Sequence, residues 1–148
     1  MNLFTYGVLQ HNRILQPLCG QEFSMRPARL RGYRKIFFDY EPFAPCAIVV
    51  PDSASSVQGQ LLTDVAARHL PTFDRFECVD QGLYTRISHP VIDGDEEVQA
   101  WVYVAGEKAT PYLGADWDEA SFLHSGRLDY LEKLLSVDFD PQTQQLTD

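Results

Sequence analysis

The 148-residue chain is 45% hydrophobic and 22% charged, with a formal net charge of −9. That composition is ordinary for a globular protein and holds no stretch near the roughly 18 apolar residues of a membrane span. The acidic balance argues against nucleic acid or an anionic membrane as a partner, since both need clustered Lys and Arg. Length supports one domain over residues 1–137, large enough to bury a core without disulfide staples.

In chain order, 2–6 reads as an aromatic-rich strand closed by Gly7. Residues 9–18 form a short helix with Ile14, Leu15 and Leu18 on one side and Gly20 as its stop. Residues 22–40 read as one long or two broken strands, with a bulge or close approach at Gly32. The basic residues Arg26, Arg29, Arg31, Arg34 and Lys35 fall here and read as a solvated face. Pro42, Pro45 and Pro51 predict an extended loop around 47–50, followed by a strand over 57–62 that is crowded at Gly59.

Asp64 is the expected cap of a helix starting at Val65, which Pro71 interrupts or restarts before final turns over 72–77. Strands over 83–92 and 98–105 flank Asp93-Gly94, a hairpin signal. Asp116 and Glu119 have capping-box spacing ahead of a helix to about Leu135, with Phe122, Leu123, Leu128, Leu131, Leu134 and Leu135 as its buried stripe. Residues 138–148 read as a frayed tail. Strands with helices inserted, and no regular βα alternation, predict an α+β fold on a twisted or closed sheet.

Two short segments stand out chemically. In Tyr6-Gly7-Val8-Leu9 a glycine directly after a strand opens a helix, and the backbone N–H groups there form a nest for an anion. The plainer reading is a strand-to-helix turn. In Phe73-Asp74-Arg75-Phe76-Glu77, helical spacing puts Glu77 on the face of Phe73. Burial there would raise its pKa and fit it to take and return a proton. The plainer reading is a helix-end Glu in water, or paired with Arg75 or Arg86.

Cys19, Cys46 and Cys78 are odd in number and widely spaced, so no disulfide framework or zinc knuckle is implied. His11, His69, His89 and His124 sit at no metal-ligand spacing and read as surface or cap histidines. Cys78 reads as a packed thiol, with a nucleophile as the sharper alternative. Phosphate-loop, dinucleotide and Gly-x-Ser-x-Gly motifs are absent. Neither cofactor nor metal is expected. Polar residues 10–13 break the first apolar run too early for a secretory signal, which makes a cytoplasmic location the expectation.

Leu3-Phe4-Thr5-Tyr6-Gly7-Val8-Leu9 resembles the Tyr-Gly-(Thr/Ser)-Leu signature of the γ-glutamylcyclotransferase-like proteins, in the avirulence-induced and γ-glutamylamine cyclotransferase branches. In the same order, Gly32-Tyr33-Arg34, Val57-x-Gly59-x-Leu61, the Phe73–Glu77 block with Tyr84-x-Arg86, and Trp101-Val102-Tyr103-Val104 resemble later family motifs. The resemblance implies a small mixed β-barrel with flanking helices. It implies Glu77 as the catalytic acid–base and Tyr6, Gly7, Val8 and Leu9 as the cradle for a small-molecule γ-glutamyl substrate. Tyr84 and Arg86 would shape the pocket or orient Glu77. Two departures bear on activity: Val8 stands where the family has a hydroxyl, and Cys78 where it has Gly. A catalytically silent binder of a small carboxylate or of a protein partner therefore stays open beside the enzyme.

Overall fold

In the computed structural model, residues 1–137 are described, together with the backbone of Phe139–Asp140 and Gln145–Leu146. Five strands close into a barrel. β1 (Leu3–Thr5) lies between β3 (Cys46–Leu62), to which it is antiparallel, and β5 (Glu96–Ala105), to which it is parallel. β5 pairs with β4 (Tyr84–Asp93), β4 meets β2 (Met25–Phe38), and β2 pairs with β3 to complete the ring. β6 (Leu113–Asp116) adds to the free edge of β2.

Side-chain alternation along the strands divides the apolar residues into two cores. Phe4, Leu30, Val49, Leu61, Val91 and Val102 form a cluster drawn from the strands, which is the barrel interior. Their neighbours Leu3, Ile48, Leu62 and Tyr103 face outward and pack with residues of α1 (Asn12–Cys19), α2 (Leu70–Phe76) and α4 (Arg127–Leu135). Each large side chain so buried contributes about 1.5–3 kcal/mol.

Several expectations change. The loop predicted around 47–50 is the start of β3, because Ala47 and Val49 fill the barrel while Ile48 packs outward. Pro51 fits within that strand because it opposes Tyr33 next to the register shift at Gly32, where the ladder is already irregular. Asp64 caps nothing: it has φ 58°, and the chain passes through a 3-10 turn at Ala67–His69 before α2 opens with Pro71 in its first turn. Pro71 therefore starts the helix, its missing N–H costing nothing there.

The helix expected after the Asp116/Glu119 capping box, running to about Leu135, is two, α3 (Glu119–His124) and α4, separated at Gly126 with φ 74°. Asp118 occupies the N-cap position, while Asp116 lies on β6 and pairs with Arg34 at 2.5 Å. The break turns Leu123 outward, leaving it 57% exposed. Of the expected tail, 138–148, a two-residue pairing of Phe139–Asp140 with Gln145–Leu146 is described; the rest lies outside the described residues. No helix among the described residues is long and apolar enough to cross a membrane.

Candidate active site

β1 delivers the first half of the site. Tyr6 follows it with its ring buried and its hydroxyl donating to the Tyr103 carbonyl at 2.6 Å. That bond moors the chain to β5 just before it leaves the barrel. Gly7 then admits a 3-10 turn over Val8–Gln10, closed by Gln10 N to Gly7 O at 3.1 Å and His11 N to Val8 O at 3.3 Å. The N–H groups of Gly7, Val8 and Leu9 open that turn, so none has an acceptor inside it.

α2 delivers the second half. Phe73 and Phe76 bury one face of this short helix, and Glu77 sits at its C-cap, its N–H donating to Phe73 O at 2.9 Å. The chain then reverses through Cys78 at φ 53° and ψ 45°, the left-handed conformation that a glycine adopts most cheaply. Cys78 is fully buried and does not line the cavity described below. Cys78 thus adopts the left-handed turn without placing its side chain in the cavity.

The two halves meet. Glu77 and the Tyr6–Leu9 segment line one small cavity together with Tyr84, Tyr103, Phe43, Cys46 and Arg127. Water centres can occupy about 40 Å³ of it, room for a few waters. Burial pushes the Glu77 carboxyl up to about 8. Glu77 as a whole is partly buried, as befits an acid facing a cavity inside dense protein. The Tyr6 and Tyr84 phenols are also driven well above their ordinary range, by burial first and by neighbouring acidic groups such as Glu77 second. Both are therefore neutral hydrogen-bonding groups, and Tyr84 donates to Ala47 O at 2.7 Å.

Arg86 lies elsewhere. Its guanidinium grips Asp74 through Nε at 2.8 Å and Nη2 at 3.1 Å and rests over the Trp101 ring at 4.3 Å. It is absent from the cavity lining and stands behind α2, the helix that ends in Glu77. Cysteine chemistry finds no support: Cys78 is sealed away, and burial raises the Cys46 thiol, which does line the cavity, to about 12. His69 is no surface histidine; it sits at the N-cap position of α2 without a side-chain capping bond and packs edge-on against Phe23 with ring centroids 5.2 Å apart. No group of three or more metal-ligating side chains is gathered among the described residues.

Lys35 corrects the reading of a solvated basic face: its ammonium donates to the Tyr6 carbonyl and lies 4.9 Å from the Trp117 ring centre. Strand alternation could have found Tyr103, which faces opposite to Val102 and pairs with Arg86 across the hairpin. Arg127 had no such signal, since its place depends on the chain break at Gly126.

The sequence model of the family described as "Gamma-glutamyl cyclotransferase, AIG2-like" matches residues 3–119. "AIG2-like protein C" of Arabidopsis thaliana is 25% identical over 130 residues, covering 88% of this chain and 73% of that protein. A solution structure from Arabidopsis thaliana superposes with a TM-score of 0.66 at 20% identity, over 89% of this chain and 86% of that one. A structure titled "Gamma-glutamyl cyclotransferase" gives a TM-score of 0.62 at 17% identity, over 71% of this chain and 66% of that one. At these identities the two structures speak for the barrel fold alone.

Proposed function

The chain belongs to the γ-glutamyl cyclotransferase, AIG2-like family, and from that premise we propose that it cyclises γ-glutamyl amides or peptides to 5-oxoproline with release of an amine or amino acid. One observation carries the reading: the raised carboxyl of Glu77 and the Gly7–Leu9 backbone line one cavity.

The reaction runs within the substrate. The α-ammonium gives a proton to the Glu77 carboxylate, and the freed amine attacks the γ-carbonyl carbon, forming the ring C–N bond and an oxyanion. The oxyanion then collapses, and the original amide C–N bond breaks as Glu77 returns the proton to the departing nitrogen. The ring nitrogen gives up its second proton, by way of Glu77, to the released amine, which leaves as an ammonium. Glu77 ends as it began. A carboxyl titrating near 8 suits both transfers, which together are worth about 10²–10⁴-fold. Folding the glutamyl chain into attacking geometry supplies up to about 7–11 kcal/mol. The N–H groups of Gly7, Val8 and Leu9 would bind the α-carboxylate or the oxyanion, and one oxyanion donor is worth roughly 3–4 kcal/mol.

Val8 offers no hydroxyl, so this cradle works through backbone alone. Arg86 acts at a distance, holding α2 through Asp74, whereas Tyr84 contacts the bound group. The test is to incubate the protein with γ-glutamyl amines, amino acids and peptides and to measure 5-oxoproline. Turnover on none of them, with thermal stabilisation by 5-oxoproline, selects the silent carboxylate binder instead.

A further inference from the structure

We infer that Lys35 is a positioning residue of this site: from behind the cavity wall its ammonium fixes the Tyr6–Gly7 peptide so that the Gly7 N–H is presented to a bound carboxylate or oxyanion. The inference deepens the cyclotransferase reading and rests on it for the identity of the ligand.

The geometry is that of one peptide plane. The Tyr6–Gly7 bond is trans, so its C=O and N–H point in opposite directions. Lys35 Nζ donates to the Tyr6 oxygen, yet Lys35 does not line the cavity, whereas Gly7 does. With the carbonyl turned toward a donor that is not part of the cavity lining, the antiparallel N–H is turned the other way, toward the cavity. A cation on the carbonyl also polarises the amide, making its N–H a stronger donor.

Lys35 is itself held in place. It projects from β2 opposite Val49, its backbone carbonyl accepts from Trp117 N at 3.2 Å, and its ammonium sits by the Trp117 ring. Burial lowers its pKa, a cost that an aliphatic residue at this strand position would avoid. Packing alone gives no reason for a charge there. A Cβ at Gly7 would meet Ala47 Cβ at 3.7 Å, an ordinary contact, so no atom crowds the chain at this residue. Tyr6 adds a second anchor through its hydroxyl bond to Tyr103, which leaves rotation of the peptide plane as the freedom that Lys35 removes.

The experiment compares Lys35→Met, Lys35→Gln and Lys35→Arg with the unaltered protein. Each is followed by calorimetric titration with 5-oxoproline, by the amide NMR signal of Gly7, and by turnover. The expected result is about tenfold weaker 5-oxoproline binding in the Met variant, the loss of one good hydrogen bond, with KM rising more than kcat falls. The Gly7 amide signal should move in the Met variant and return toward its original position in the Arg variant, with partial recovery of affinity. If the Met variant fails to fold, Lys35→Leu, which likewise removes the donor, takes its place in the comparison with Arg, and the Gln variant separates loss of the charge from loss of the donor. Unchanged binding and an unmoved Gly7 signal in folded variants overturn the role of Lys35. Binding that depends on Lys35 in a protein that turns over no γ-glutamyl compound overturns the cyclotransferase reading and leaves Lys35 standing. No binding of 5-oxoproline by the unaltered protein, together with no turnover of any γ-glutamyl compound, overturns both.

Discussion

The Tyr103 hydroxyl donates to Asp74 Oδ1 at 2.7 Å, the same oxygen that accepts from Arg86 Nε. Asp74 is thus clamped from two adjacent strands, β4 and β5, one helical turn before Glu77. Asp74→Ala should leave both donors without this partner and destabilise the protein by about 1–3 kcal/mol. It should lower kcat more than it weakens 5-oxoproline binding, because the helix end carrying the acid loosens while the cradle on β1 stays. Urea unfolding and steady-state kinetics measure the two effects.

Glu77→Gln keeps the size of the side chain and removes its proton transfer. Turnover should fall by about 10²–10⁴-fold, while 5-oxoproline still binds and the circular dichroism spectrum is unchanged. Full activity in this variant would remove Glu77 from the mechanism.

Activity should follow the Glu77 proton. The carboxylate is the form that accepts the substrate's proton, and burial holds the carboxyl near 8. The logarithm of kcat/KM should therefore rise with unit slope as pH increases and level off at about 8. A limb near the ordinary glutamate value of about 4.3 would mean that the acid is solvated in the working enzyme.

Stability should show the same group with the opposite sense. Because the folded-state pKa lies above the unfolded value, the folded protein holds a proton that the unfolded chain has lost between about pH 4.5 and 8. Folding stability from this group is complete below that window and declines as pH rises through it, by at most about 1.4 kcal/mol per pH unit. Glu77→Gln escapes the decline. Its melting temperature relative to the unaltered protein should climb across the window and then stay level.

Gly59→Ala probes the barrel. A Cβ there would lie 2.2 Å from the Thr5 carbonyl oxygen and 2.7 Å from the Phe4 ring. Backbone cannot yield as a side-chain tip can, so a loss of about 1–3 kcal/mol is expected in denaturant unfolding. Because Thr5 ends β1, binding of 5-oxoproline should weaken as well.

The glycine at 59 was legible as a crowded position from its place inside a strand pattern, and the hairpin at Asp93-Gly94 from its dipeptide. The Tyr6–Leu9 turn and Glu77 were legible as two local motifs, each with a plain alternative. Their meeting was legible through the family resemblance alone, which sets both on one substrate, since no local pattern says that residues seventy apart in sequence share a cavity. Pro51 misled because proline usually ends a strand, and here the ladder was already broken opposite it. Asp116 misled because its spacing to Glu119 suits a cap, while long-range pairing with β2 claims it for a strand. Lys35 carried no local mark at all: its partner is a backbone carbonyl, which every residue has.

β1 is made well before the strands it pairs with: Leu3 aligns with Leu62 on one side and with Trp101 on the other. The anion nest follows directly on this strand, so it takes shape only when pairings about sixty and a hundred residues apart in sequence are made. Ligand affinity is consequently a reporter of completed barrel closure, and a refolding protein should regain secondary structure before it regains the capacity to hold a carboxylate.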